Sequence, residues 1–265
     1  SPGLDFETKV FYKPDARATL LEEWEKPGYR CEPICIGANT DPYQPAEKKL
    51  KITRQLLETF LQHRHPVSII SKGTLMMRDL DLLEALAARN LCTVAVSVPT
   101  ADNALKRLLE PRVPAASARF ELIAALRARG IPVSLLLAPV IPAVNDAEIE
   151  AIVGRAAGAG ASHAAYILLR LPHELKAVFR EWLDNHLPER AAHVMSLVRQ
   201  ASGGRDYDNR FGVRQTGRGP YAGMIRDRFR VACAKNGLSA GRQRITLDSS
   251  QFRPPGPQQM GLCFN

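Results

Sequence analysis

Cys31 and Cys35, in the stretch YRCEPICIGANTDPYQPAE (29–47), stand as C-x-x-x-C, the first half of the C-x-x-x-C-x-x-C spacing that brings three thiolates to one 4Fe–4S cluster. The third position is Ala38, so at most two thiolates are offered. Both cysteines flank or occupy an apolar run, and four strand steps of ~3.3 Å separate them by roughly 13 Å, too far to hold one cubane without a sharp bend. Pro33 bends only the entry, and the pair is rejected as a cluster site. His63 and His65 form an H-x-H with no Cys or carboxylate at ligand spacing, so metal binding is not expected there. A cationic role near a helix C-terminus is expected instead.

Other polar side chains sit where chemistry is placed in alternating α/β folds. Five apolar, β-branched runs bounded by turn residues occur at EPICIG (32–37), PVSIISKG (66–73), CTVAVSVPT (92–100), IPVSLLLAPVIP (131–142) and HAAYILLRLP (163–172). Polar alternation is missing from them, so they are expected to be parallel strands buried on both faces. Amphipathic helical patterns lie between, at 47–63, at 79–89 with Asp79 as N-cap, at 117–129 and at 146–159. A sixth apolar run, KVFY (9–12), is weaker. Strand and helix in alternation mean a doubly wound sheet or a barrel. No G-x-G-x-x-G or G-x-x-x-x-G-K-S/T follows a strand, which argues against a dinucleotide or P-loop site. The runs instead end in polar residues: Asn39, Thr40 and Asp41; Ser71 and Lys72; Ser97; Asn145 and Asp146. In a complete or partial (β/α) barrel that rim carries the active site.

From Pro172 the pattern changes. HELKAVFREWLDNHLPERAAHVMSLVRQ predicts two helices divided at Pro188, a Gly-rich segment follows, then a helix YAGMIRDRFRVACAKNG and a Pro-rich tail. The expected organisation is a barrel core over 1–172 and a mostly helical, basic extension over 173–265. Between Arg199 and Arg244 eleven Lys or Arg face three Asp, interleaved with Tyr207, Phe211, Tyr221 and Phe229. Such a pattern fits phosphate contacts and base stacking, and it equally fits a solvated arginine-rich surface.

The five cysteines (Cys31, Cys35, Cys92, Cys233 and Cys263) show no framework spacing, which suits a reducing compartment and small buried side chains. With 45% hydrophobic residues, no membrane-length apolar run and no signal-peptide pattern, a soluble cytoplasmic protein is expected. The chain opens in mid-stride with SPGLDFETKVFYKP, and residues upstream of Ser1 are expected in the natural protein.

The ordered set GANTDPYQPAE, VSIISKG, VAVSVPT, LLEPR and VSLLLAPVIP resembles the radical S-adenosylmethionine (radical SAM) superfamily, in the branch related to spore photoproduct lyase and labelled DNA-repair-photolyase-like. The resemblance covers nearly the whole chain. It implies a six-stranded partial (β/α) barrel, TIM-like, in which the five runs are strands 2 to 6 and the first strand and cluster loop lie upstream. It implies S-adenosylmethionine and a 4Fe–4S cluster as cofactors, an electron donor as partner, and generation of a 5′-deoxyadenosyl radical for oxidoreductase or lyase chemistry.

Carried over residue by residue, Lys72 matches a lysine that pairs with the cofactor carboxylate. An ammonium at that place would be costly unless it met an anion. Ser97 matches a serine near the ribose or amino-acid part, and Ala138 and Pro139 match a backbone segment near the adenine. Asn39, Thr40 and Asp41 fall where the cofactor amine is contacted, although Asp41 also suits a turn or a cap on the helix from Glu47. Tyr43 and Gln44 are expected on the substrate side. Glu110 and Arg112 are expected to bind substrate or to form an ion pair at the rim.

This sequence departs from the family in lacking the cluster cysteines, which are expected upstream of Ser1, so the chain alone is expected to be inactive. Where the lyase carries a hydrogen-donating cysteine the sequence reads Gly37-Ala38-Asn39, which leaves the substrate unassigned. Two alternatives stay open: a non-catalytic barrel that binds nucleic acid through its basic region, and a metal-free lyase or aldolase using Lys72 as a Schiff base.

Overall fold

The five apolar runs fold as β1 (Ile34–Ile36), β2 (Val67–Ser71), β3 (Cys92–Ser97), β4 (Val133–Val140) and β5 (His163–Leu168). They pair in parallel and in chain order, as strands joined by helical crossovers do. A sixth strand that the sequence did not announce, β6 (Ser239–Ala240), pairs with β5. The sheet is open, with β1 and β6 at its edges. The computed structural model describes residues 11–204, 215–241 and 245–256.

Ten helices are described: α1 (Ala16–Trp24), α2 (Glu47–Leu50), α3 (Ile52–His63), α4 (Leu80–Ala87), α5 (Asn103–Leu109), α6 (Ala116–Ala128), α7 (Ile149–Gly158), α8 (Leu175–His186), α9 (Pro188–Ala201) and α10 (Gly219–Lys235). Of these, α1 and α5 went unanticipated. The break at Pro188 is where it was expected, because proline fits the first position of a helix and not its interior. The pattern over 47–63 divides at Lys51, whose φ of 52° is left-handed. Asp79 stands at the N-cap position of α4, after a 3-10 turn over Thr74–Asp79, but its side chain makes no capping bond. Of KVFY, residues 9 and 10 lie outside the described residues, and Phe11 and Tyr12 are exposed.

One face of the sheet is buried and the other is not. Val67, Ile69, Val94, Val96, Val133, Leu135 and Leu137 are buried in one core with Leu57 and Phe60 of α3, Leu83 and Leu86 of α4, Leu122 and Leu126 of α6, and Ile152 and Val153 of α7. Each such side chain contributes about 1.5–3 kcal/mol by leaving water. The alternate residues Ser68, Ile70, Thr93, Ala95, Ser134 and Leu136 are only half-buried. This corrects the expectation of strands buried on both faces. An open sheet is covered on one side by its crossover helices, and apolar residues such as Ile70 and Leu136 hid the alternation by lining the uncovered face.

Residues beyond Pro172 join this core. Ala222, Ile225, Phe229 and Cys233 of α10 belong to it, while Leu183, Val194, Met195 and Val198 of α8 and α9 form a second cluster with Ile141 and Leu171.

Candidate active site at the strand ends

The loop after β1 begins at Gly37, where φ is +91° and a Cβ would stand 2.0 Å from the Ile70 carbonyl oxygen. Only glycine fits this close approach. The loop then closes on the end of β2 through Asp41. Asp41 Oδ1 accepts from the Tyr43 amide at 2.9 Å and the Ser71 hydroxyl at 2.7 Å, and Oδ2 accepts from the Lys72 amide at 2.8 Å. Asp41 therefore makes an Asx turn and ties two strand ends together, and it does not cap the helix at Glu47.

The rest of TDPYQPAE is a clamp. Glu47 caps α3 from the preceding helix, its Oε2 accepting from the Thr53 amide at 3.1 Å, while the Thr53 hydroxyl donates to the Pro42 carbonyl at 2.7 Å. Arg78 donates to Glu47 Oε1 at 2.8 Å and to both oxygens of the fully buried Asp79 at 2.8 Å, and Arg54 donates to Asp79 Oδ1 at 2.9 Å. Tyr43 is 4% exposed, and burial, then the Asp79 carboxylate, pushes its phenol upward. It does not face the substrate side as expected.

At the rim itself three charges form a line. The Lys72 ammonium pairs with Glu110 Oε1. Glu110 Oε2 accepts from Arg119 at 2.7 Å. Arg119, 1% exposed, also donates to the Ser97 carbonyl at 2.9 Å and the Pro114 carbonyl at 3.0 Å. The Ser97 hydroxyl donates to the Ala138 carbonyl at 3.2 Å, and Asn145 donates to the Pro99 and Pro139 carbonyls at 2.8 and 2.9 Å. The Ala138-Pro139 peptide is cis. Asp41, Lys72, Glu110, Ser97 and Ala138 are thus joined by one chain of contacts.

The anion that Lys72 requires is Glu110, a residue expected from the sequence to bind substrate or to pair with Arg112. Arg112, Asn39 and Thr40 are exposed and Gln44 is half-buried. Arg119 was missed. Nothing in its spacing marks it, because an arginine on an amphipathic helix ordinarily faces solvent and its burial follows from the partners that fill its fork.

Several expectations need correction. Cys35 is exposed and Cys31 half-buried, whereas Cys92 and Cys233 are buried and burial pushes their thiols up to about 12 and about 11. Cys263 lies outside the described residues. His65 is fully buried, stacked on Trp24 at 4.6 Å, and its Nε2 meets the Tyr29 hydroxyl at 2.7 Å. Desolvation lowers its pKa, so it is a neutral core group and no helix-end cation. His63 closes α3, with Nδ1 2.9 Å from the Arg253 carbonyl oxygen.

In the basic region Tyr221 donates to Asp146, and Phe229 is buried 4.9 Å from the Tyr166 ring. Phe229 is therefore not available for base stacking, and Tyr221 is half-buried. Tyr207 and Phe211 lie outside the described residues.

Among the described residues no three His, Cys, Asp or Glu side chains converge as a metal site, so these residues do not fit a 4Fe–4S cluster. The rim does offer an anionic ligand one donor, the partly exposed Lys72 ammonium, while the buried Ser97 hydroxyl already donates to the Ala138 carbonyl. No described helix is long and apolar enough to cross a membrane.

Comparison with known proteins accords with this geometry. The Radical SAM superfamily model matches residues 5–156. The uncharacterized protein Rv2578c of Mycobacterium tuberculosis is 35% identical over 202 residues, covering 76% of this chain and 59% of its own length. The uncharacterized protein MJ0683 of Methanocaldococcus jannaschii is 27% identical over 157 residues, covering 59% of this chain and 57% of its own. The chain therefore spans less than two thirds of these relatives. Spore photoproduct lyase complexed with dinucleoside spore photoproduct shares the fold, with a TM-score of 0.59 at 14% identity over 84% of this chain and 64% of that one. A mutant of the same lyase with bound AdoMet and dinucleoside spore photoproduct gives a TM-score of 0.57 at 13% identity, over 84% of this chain and 64% of that one. With the family model matched over more than half its length, the open parallel α/β sheet with its polar rim is that of a partial barrel, and the chain belongs to the radical SAM superfamily.

Proposed function

We propose that the protein is a radical S-adenosylmethionine enzyme whose cofactor carboxylate is held at Lys72. The observation that carries this reading is the Lys72 ammonium, partly exposed at the end of β2 and bordering the uncovered face of the sheet. When bound, a 4Fe–4S cluster and S-adenosylmethionine supply a 5′-deoxyadenosyl radical. The contribution of the residues described is to bind and orient. Lys72 takes the carboxylate, Ser97 the ribose or amino-acid part, and the Ala138-Pro139 backbone borders the adenine.

Asn39 and Thr40 are placed on the amine side, and Gln44 and Arg112 toward substrate. Asp41 and Tyr43 serve the scaffold, since the first already accepts three hydrogen bonds and the second is buried. The Schiff-base alternative is disfavoured, because Lys72 is ion-paired and not the desolvated amine such chemistry needs.

We place the cluster ligands outside the described residues, since no three His, Cys, Asp or Glu side chains converge among these. A reductase is the required partner. Nucleic acid is the proposed substrate class, supported by the dinucleoside bound to the structural neighbour and by exposed Arg218, Arg226 and Arg230 in the extension over 173–265.

The test uses the full-length protein reconstituted anaerobically with iron and sulfide. An EPR signal that shifts on adding S-adenosylmethionine, with 5′-deoxyadenosine released after dithionite and lost in Lys72→Ala, is the expected result. A full-length protein that takes up no cluster overturns the reading. Salt-dependent nucleic-acid binding without any cluster would then make it a binding module.

A further inference from the structure

We infer that Glu110 is the resting counter-ion of Lys72 and that the carboxylate of an S-adenosyl amino acid takes the ammonium over from it, so that Glu110 sets affinity for the ligand. The inference rests on the reading of the rim given above and adds to it a residue that competes with the ligand.

Glu110 and Lys72 are held very differently. Glu110 is anchored from behind: its Oε2 lies 2.7 Å from Arg119, whose remaining nitrogens are fixed on the carbonyls of Ser97 and Pro114. Its place does not depend on Lys72. The Lys72 backbone is pinned by Asp41 at 2.8 Å, but its side chain is 31% exposed, on a flexible four-carbon stem, and the contact described for its ammonium is Glu110. One partner is rigid and the other is free to turn.

Lys72 and Arg119 contribute two positive charges to this line of contacts, and Glu110 and Asp41 two negative ones. A ligand carboxylate arriving at Lys72 meets the like charge of Glu110 a few ångströms away. Replacing Glu110 by glutamine removes that repulsion and leaves an oxygen for Arg119, so the buried guanidinium is not stranded. A pair that served stability alone would show no such coupling to a ligand.

The experiment is calorimetric titration of the full-length protein with two adenosyl thioethers. S-adenosylhomocysteine carries the carboxylate; 5′-methylthioadenosine lacks the amino-acid part. In Glu110→Gln, S-adenosylhomocysteine is expected to bind about tenfold more tightly, with 5′-methylthioadenosine unchanged. In a Lys72→Ala background the same substitution is expected to give no gain. Glu110→Asp, which keeps the charge on Arg119 but draws it back from Lys72, is expected to change affinity in the same direction by less, and covers the case in which the glutamine variant does not fold. Unchanged or weaker S-adenosylhomocysteine binding, or an equal shift for both ligands, overturns the inference and leaves the cofactor site standing. Failure of wild type and variants alike to bind either compound overturns the site itself, and the inference with it.

Discussion

Two charged networks built from the same residue types lie on either side of the loop after β1, and they differ in how completely each charge is used. Behind the loop, Arg78 and Arg54 surround Asp79, which is fully buried, and Glu47 accepts from Arg78 while capping α3. Every carboxylate there has several donors. At the rim, Arg119 and Glu110 are equally fixed, but the line ends in Lys72 with one described anionic partner and an exposed flank. A saturated network holds a scaffold, whereas an unsaturated end facing open space is free to bind. The comparison separates the clamp built on Asp41 and Glu47, which serves the scaffold, from the Lys72 rim, where we propose that a ligand is held.

Substitutions can break this contrast in a graded way. Asp79→Ala leaves two guanidiniums without their buried partner and is expected to cost about 3–5 kcal/mol in urea unfolding. A loss under 1 kcal/mol there would remove the scaffold assignment. Lys72→Ala should be nearly silent in the same unfolding experiment, within about 1 kcal/mol, because its pair is partly exposed. It should nevertheless weaken S-adenosylhomocysteine binding about tenfold or more. A large stability loss with unchanged binding would place Lys72 with the scaffold.

A smaller effect is expected from pH. His65 is held neutral by burial, with a folded pKa below its usual 6.5, so the unfolded chain takes up the proton first. Its contribution is complete above pH 6.5 and declines as pH falls through that value, by up to about 1.4 kcal/mol per pH unit until the folded form also titrates. Trp24, Tyr29, Phe60 and Phe252 pack on the ring, and His63 is the titratable neighbour. Unfolding midpoints at pH 7.5 and 5.5 should therefore diverge more in wild type than in His65→Gln, and equal divergence would contradict this. The smallest change belongs to Arg228→Ala, which breaks a bidentate pair with Glu150 between α10 and α7. Side chains 31% and 50% exposed predict about 0.5 kcal/mol, diminished further by salt.

The strands β1 to β5, the helix pair at Pro188 and α10 were legible because their apolar runs, proline and glycine punctuation act locally. The two-residue β6 has no such signature, and it exists only through pairing with β5. Lys72 and Ser97 could be marked as strand-end residues and Ala138 by resemblance, but their link through Arg119 could not, since it depends on a helix turning an arginine inward across the rim. Tyr221 and Phe229 misled for the complementary reason. In a basic helix they read as stacking platforms, and tertiary packing buries Phe229 in the core and lays the half-buried Tyr221 against it.

The most direct test of the distinction between scaffold and rim is amide hydrogen exchange of the reconstituted full-length protein with and without S-adenosylmethionine. Added protection at 70–75, 96–98 and 136–141, with exchange over 47–54 and 78–81 unchanged, is the predicted outcome. Protection confined to 47–54 and 78–81, or to α10, would contradict the placement of the cofactor at Lys72.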